Sequence, residues 1–488
     1  MARLDLRPRP ALQPEYCKGC LRCVDACPKD CITQAGDLNA TTGVRPVVLH
    51  LDDCNGCQLC IQACPEPYGL VPQKAPGETA SGAKAPTTAH DPGEFELEDP
   101  THLFGAKTST LPAPVDLPGL ALALPTTEPL MLKGTYAAAL GALLAGCRPV
   151  FGYPITPSTE GAELMAKVLP HLGGSFVQAV SEVAAINMMY GCAGAGLPCM
   201  TFTSSPGFSL MLEGISYMIG AELPGVVMNV MRGGPGLGNI APEQADIKLM
   251  TRGLGHGNTH AIVLAPSTPQ EMLDLSRLAF ELAFAYRNPV IIAADGYLGQ
   301  MAGVVRLPAT LTRPGLPAWA VWGDRAHRMN LVCSIQLSDT DLEAHNHHLN
   351  DKYADITKKE QRAETWLCDD AEVLLVACNT PARMAKGAVM DLREAGVAAG
   401  LVRPITLWPF PIDEMRAILT KRPRARVVVV EASPGQLEDE LRLALSHAGL
   451  APPPIQSVRR MGGVLPQRRE IVAAVLAGQD VAASGGVA

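Results

Sequence analysis

The sequence predicts an α/β protein built on a doubly wound parallel sheet, with a second α/β domain after it and a small cysteine-rich α+β module before it. Three observations carry this. Short apolar runs at 149–151, 198–202, 225–230, 261–264 and 289–293 alternate with helical stretches, as parallel strands with crossover helices require. The alternation restarts after a polar interval, with strands at 372–377, 397–401 and 426–431 and helices at 382–395 and from Gly435. Eight of the 15 cysteines fall in two matching runs before residue 65.

A chain of 488 residues is too long for one core. The divisions read as a cysteine module at 1–70, a linker at 71–128, the first α/β domain at 129–310, a connector at 311–368 and the second α/β domain at 369–480. A net charge of −8 with no sustained basic block argues against nucleic acid or an anionic membrane as partner. The most apolar stretch, 210–230, is broken by Glu213, Glu222 and Pro224, so no membrane span is expected. The first ten residues lack the apolar core of a secretory signal, and a cytoplasmic location is expected.

Cys17, Cys20, Cys23 and Cys27-Pro28 are followed at the same intervals by Cys54, Cys57, Cys60 and Cys64-Pro65. This is the spacing of bacterial two-cluster ferredoxins, in which the fourth thiolate of each run crosses to the other cluster. One [4Fe–4S] cluster is then assigned Cys17, Cys20, Cys23 and Cys64, and the other Cys54, Cys57, Cys60 and Cys27. Zinc usually draws on two close pairs, and disulfides are unusual in a reducing compartment. Cys31 lies outside the pattern and reads as a spectator thiol. So small a module buries little apolar surface, and its clusters must supply much of its stability. Residues 30–53 are longer than a minimal ferredoxin loop and read as a surface insertion with a strand-like Pro46-Val47-Val48-Leu49. The Pro-, Ala- and Gly-rich stretch 71–128 has no apolar period and reads as a tether, although its end, 112–125, is apolar enough to pack.

Gly152-Tyr153-Pro154-Ile155-Thr156-Pro157-Ser158-Thr159-Glu160 joins a strand to a helix. Each proline keeps the residue before it out of the helical region, so Thr156 is expected extended at a strand end, where ligands bind in such sheets. A plain strand–turn–helix joint would read the same way. Ser181-Glu182-Val183-Ala184-Ala185 opens a helix of small residues, whose N-terminus favours a carboxylate. Arg232 follows a strand and begins Arg232-Gly233-Gly234-Pro235-Gly236-Leu237-Gly238, whose glycines let backbone approach a ligand. The loop matches neither a P-loop nor a dinucleotide fingerprint.

The Tyr-Pro-Ile-Thr-Pro-Ser-Thr run and the Arg232 loop resemble the alpha subunit of the 2-oxoacid:ferredoxin oxidoreductases, and the likeness extends from residue 131 to about 478. These thiamine-diphosphate enzymes oxidise 2-oxoacids to acyl-CoA. The resemblance implies that 129–310 is the pyrimidine-binding domain. It also implies that 369–480, with Arg403-Pro404-Ile405-Thr406-Leu407-Trp408-Pro409-Phe410-Pro411, is a transketolase C-terminal-like domain used in assembly. It places on Glu182 the glutamate that contacts N1′ of the aminopyrimidine and favours its imino tautomer. Thr156 falls on the threonine at the substrate carboxylate, with Pro154 and Ile155 beside the cofactor. Arg232 is a candidate for holding the same carboxylate, or else for a structural ion pair.

Coenzyme A is the implied co-substrate, with electrons passing through the clusters to ferredoxin or another acceptor. No Gly-Asp-Gly…Asn motif for diphosphate and Mg2+ is evident, so thiamine diphosphate and Mg2+ are expected to be shared with a beta subunit, without which the chain is inactive. A gamma subunit is expected, and the fused ferredoxin domain replaces a small delta subunit. Members acting on 2-oxoglutarate tend to carry Gly-Pro-Ser-Thr-Gly where this chain has Gly234-Pro235-Gly236-Leu237-Gly238. Losing two hydroxyls and gaining an apolar side chain favours a branched-chain or aromatic 2-oxoacid. The alternatives are 2-oxoglutarate or pyruvate as substrate, or an electron-transfer scaffold without a working thiamine site. His345-Asn346-His347-His348 lies in a polar helical stretch, 339–366. His345 and His348 share a face there, but no carboxylate or cysteine completes a metal site.

Overall fold

The computed structural model describes residues 8–39, 44–64, 69–73 and 120–478. The chain divides into two compact units, Met1–Glu94 and Phe95–Ala488. Most of the stretch read as a tether lies outside the described residues. Its far end is a strand, Leu120–Ala123, paired antiparallel with Thr310–Arg313.

In the first unit, Pro10–Leu12 pairs antiparallel with Leu70–Pro72, and Ile32–Gln34 with Val47–Leu49. The stretch read as a surface insertion is therefore a ladder that buries Ile32 and Val47 in the unit's small core. Both cysteine runs share one backbone course. Gly19 and Gly56 sit at φ +62 and +67, and Leu21 and Gln58 are left-handed at the starts of the short helices Arg22–Asp25 and Leu59–Ala63. At Gly19 a Cβ would lie 2.7 Å from Arg45 O, so the close approach as well as φ requires glycine.

The second unit carries a seven-stranded sheet ordered Thr406–Trp408, Ile262–Leu264, Pro289–Asp295, Gly225–Met231, Met200–Thr203, Pro149–Gly152, Ser175–Gln178. Every residue of Gly225–Met231 and Pro289–Asp295 is buried, as in a parallel sheet covered on both faces. Ser175–Gln178 escaped the sequence reading because it is a short, half-exposed edge strand with polar ends. Thr406–Trp408 pairs antiparallel with Ile262–Leu264 from within the Arg403–Pro411 stretch, so the second lobe supplies the other edge of the first lobe's sheet. Flanking prolines suit an edge, where an N–H is dispensable. The second lobe's own sheet runs Ala363–Trp366, Ala399–Pro404, Val373–Val376, Arg426–Glu431, Ile455–Arg459, parallel except for its first strand.

The helix Asp339–Lys359 buries only Leu349, Tyr353 and Ile356. Its His345 and His348 do share a face, and they dock the helix: His345 bonds Gly220 O at 2.8 Å and His348 meets Glu222 at 2.9 Å. Burial pushes the Glu222 carboxyl up, but Lys352 at 3.1 Å and His348 outweigh it and leave it below its ordinary range.

A buried polar seam joins the lobes. Asp295 is fully buried and accepts from Tyr297 N, Leu298 N, Thr380 N and Thr380 Oγ1, at 3.0, 2.9, 2.8 and 2.8 Å. Beside it, Gln244 donates to Cys378 O and Asn379 Oδ1 and accepts from Ala432 N. Asp295→Ala would strand these donors out of water at a cost of at least about 3 kcal/mol. A clearly lower urea midpoint is the expected outcome, and an unchanged midpoint would show that the seam contributes no stability.

Candidate functional site

Four adjacent parallel strands, Ser175–Gln178, Pro149–Gly152, Met200–Thr203 and Gly225–Met231, end on the same edge of the sheet, and the loops that follow them carry the candidate residues. Glu182 is the first residue of the helix Glu182–Gly194, whose N-cap Ser181 accepts from Ala184 N at 3.2 Å. It is only 5% exposed, yet its carboxylate makes no hydrogen bond or ion pair among the described residues. One wall of its niche is Gly207, in the first turn of Ser205–Gly220. A Cβ on Gly207 would lie 2.6 Å from Glu182 Oε1 and 2.5 Å from Thr203 Oγ1. Ser204 Oγ is also buried without a partner. A carboxylate removed from water and left unpaired is costly unless something else supplies its donor. The niche therefore suits a ligand with a ring N–H, as an aminopyrimidine presents.

Thr156 is exposed in the turn 156–158, closed by Ser158 N and Oγ on Ile155 O at 3.0 and 2.8 Å. The turn forms directly at Thr156, so the extended pose expected from the prolines does not carry to this residue. Thr156–Pro157 and Gly234–Pro235 are cis. Pro154 is exposed and Ile155 half-buried beside them.

Arg232 is 8% exposed, and its guanidinium donates to two backbone carbonyls, Thr156 O at 2.7 Å and Leu237 O at 3.1 Å. It thus ties the Thr156 turn to the glycine loop. No ion pair to it exists among the described residues, and its Nε is buried without a partner. In the loop, Gly238 has φ +53 and a Cβ there would fall 1.8 Å from Gly233 O.

Sequence reading missed the polar support beneath. Arg232 N donates to Ser205 Oγ, which donates to Asp246 at 2.5 Å; Asn229 in mid-strand donates to the same carboxylate at 3.0 Å. Burial pushes the Asp246 and Glu243 carboxyls up, partly offset by these donors and by the Gly462 amide on Glu243 at 2.9 Å. An asparagine inside an apolar strand was the one available signal.

In the first unit, Cys17, Cys20, Cys23 and Cys64 line one cavity, and Cys27, Cys54, Cys57 and Cys60 another. The two are alike in size, about 350 and 360 Å³, as two equal clusters need. No three His, Cys, Asp or Glu side chains among the described residues converge as a single ion requires. Thiols spread around a wider space instead suit a cubane. Burial and the neighbouring thiols push Cys23 and Cys31 up to about 11. Cys31 lines the second cavity, and its N–H donates to Cys27 Sγ at 3.3 Å. It is thus a backbone neighbour of a candidate ligand, not a remote bystander.

Residues 140–329 match the family described as pyruvate flavodoxin/ferredoxin oxidoreductase, thiamine diphosphate-binding; 371–471 match pyruvate:ferredoxin oxidoreductase core domain II; and 16–67 match the 4Fe-4S dicluster domain. The chain is 48% identical over 344 residues to the ketoisovalerate oxidoreductase subunit VorB of Methanothermobacter thermautotrophicus, covering 70% of this chain and 96% of that one. It belongs to the 2-oxoacid:ferredoxin oxidoreductases. With the 2-oxoglutarate synthase subunit KorA of Methanocaldococcus jannaschii the identity is 35% over 368 residues, covering 71% and 98%. The 2-oxoglutarate:ferredoxin oxidoreductase from Magnetococcus marinus, solved with 2-oxoglutarate, coenzyme A and succinyl-CoA bound, matches with a TM-score of 0.64 at 26% identity, over 73% of this chain and 66% of that one. This 2-oxoacid:ferredoxin oxidoreductase chain is an alpha-type subunit with a thiamine-binding α/β domain and an N-terminal 4Fe-4S ferredoxin-type domain. No helix among its described residues is long and apolar enough to cross a membrane.

Gly207→Ala is expected to displace the Glu182 carboxylate and weaken thiamine diphosphate activation of the holoenzyme at least about tenfold with far-UV circular dichroism unchanged; activation at the parent concentration would refute the tight wall. Cys20→Ser should remove about half of the bound iron and Cys31→Ser none, by iron analysis and visible absorbance.

Proposed function

We propose that this subunit, together with a beta subunit, carries out the oxidative decarboxylation of a branched-chain 2-oxoacid. The 2-oxoacid and coenzyme A yield acyl-CoA, carbon dioxide, protons and two electrons. The electrons leave one at a time through the two clusters to ferredoxin or a comparable acceptor. The observation that carries this reading is the buried, unpartnered Glu182 carboxylate at the C-terminal edge of the parallel sheet.

Bound thiamine diphosphate supplies the nucleophilic carbon and electron sink that cleavage beside a 2-oxo group needs. Glu182 accepts the hydrogen bond of the aminopyrimidine ring, with Gly207 fixing where its oxygens stand. Pro154 and Ile155 form the rim beside it. The Thr156 hydroxyl, exposed at the turn, donates to the substrate carboxylate. Arg232 holds Thr156 in place through its carbonyl, with its Nε left to face the substrate end of the site. In the first unit, Cys17, Cys20, Cys23 and Cys64 hold one cluster, and Cys54, Cys57, Cys60 and Cys27 the other.

Apolar side chains stand in water around these loops: Val180 is 87% exposed and Leu237 82%, with Tyr153, Val183 and Ile240 also open. Such a surface is one that a partner covers, which supports a beta subunit completing the site with the diphosphate and Mg2+. A gamma subunit is part of the same reading, since the relatives are named as subunits. The Gly236-Leu237 pair, with no hydroxyl for a second carboxylate, and the higher identity to the ketoisovalerate relative support the branched-chain substrate.

The purified complex, assayed with a panel of 2-oxoacids, coenzyme A and a viologen dye, should show kcat/KM for 3-methyl-2-oxobutanoate at least about tenfold above that for 2-oxoglutarate. Reduction by 2-oxoglutarate alone overturns the substrate assignment. Glu182→Gln should lower kcat about a hundredfold or more, whereas undiminished turnover would leave only an electron-transfer scaffold.

A further inference from the structure

We propose that the extended segment 329–337 is a self-complementary docking face, through which two copies of this chain pack antiparallel about a two-fold axis at Cys333. From Leu331 to Leu337 the backbone is extended and makes no backbone–backbone hydrogen bond among the described residues. Burial alternates strictly. Val332, Ser334 and Gln336 turn inward and are half-buried, while Leu331, Cys333, Ile335 and Leu337 turn outward and are exposed. Met329 continues the outward row. Exposures of 85% for Met329, 86% for Leu331, 64% for Ile335 and 90% for Leu337 are those of side chains with nothing on them.

The row is held out by its anchored inner side. Asn330 Nδ2 donates to Ala318 O and Ala320 O at 2.7 and 2.8 Å. Val332 lies so close to Gly194 that a Cβ there would stand 3.3 Å from Val332 Cγ2, and Ser334 backs onto Gly220 in the same way. A pinned apolar row cannot fold its side chains away from water, and covering it gains about 25 cal/mol for each Å² removed from solvent.

The charges at its two ends identify the cover. Arg325 and Arg328 precede the row; Asp339, Asp341 and Glu343 follow it. All five are exposed and form no ion pair among the described residues. A partner of one charge sign would satisfy one end and repel the other. A second copy laid antiparallel satisfies both. Reversal about position 333 sets Leu331 against Ile335, Met329 against Leu337, Arg325 against Asp341, and Cys333 against its own counterpart. An interface in which each patch meets itself is the kind a two-fold axis requires.

In the purified complex, a short bismaleimide should link two copies of this chain through Cys333, and Cys333→Ser should abolish that link. Leu331→Asp with Ile335→Asp should raise the dissociation constant of the assembly roughly a hundredfold by sedimentation velocity, with cluster absorbance unchanged because these side chains touch nothing within the chain. Arg325→Asp and Asp341→Arg should each weaken association and in combination restore it. No Cys333-dependent link, a link to a different subunit, or an assembly indifferent to the paired aspartates overturns the proposal.

Discussion

An unpaired carboxylate held out of water sets the geometry of the second unit. Glu182 stays in its niche because it opens a helix, where the free N–H groups favour negative charge, and because Gly207 leaves its oxygens room. The neighbouring strands deliver the rest to the same edge. Pro149–Gly152 leads into the Thr156 turn, and Gly225–Met231 leads into Arg232, which grips that turn by its carbonyl. The Arg232 amide rests on Ser205, and Ser205 on Asp246. Each contact limits how far the Thr156 turn can drift from Glu182, as preorganised sites require.

The two lobes of this unit are not independent bodies in contact. A strand of the second completes the sheet of the first, and the Asp295–Thr380 and Gln244–Cys378 bonds close a seam without water. Glu243 and Asn239, on the loop after Arg232, bond Gly462 N and O from the second lobe. The lobe associated with assembly therefore also braces the loop proposed to line the substrate end.

The first unit has different stability requirements. Its apolar core is a handful of residues, of which Cys23, Cys31 and Cys60 are themselves thiols. Two four-cysteine cavities occupy the space where a larger domain would keep leucine and valine. Gly19 and Gly56 make this possible by turning each run back around its cavity. Cluster ligation and folding are then one free-energy event.

The sequence by itself determined the elements whose reason is local. The cysteine intervals divide eight thiols into the two groups that line the two cavities, and the apolar runs locate the buried central strands, because in both cases the pattern lies within a few residues. It also singled out Glu182, Thr156 and Arg232. Only the tertiary structure decided what these side chains face. Arg232 grips carbonyls 76 and 5 positions away, and Gly207, 25 positions beyond Glu182, is its wall. The edge strands Ser175–Gln178 and Thr406–Trp408 and the seam at Asp295 likewise had no local signature, because burial and pairing there are set by chain from another element. Spacing reports a residue's neighbours along the chain, whereas a polar group's partner is settled by which loops the sheet order brings to the same edge.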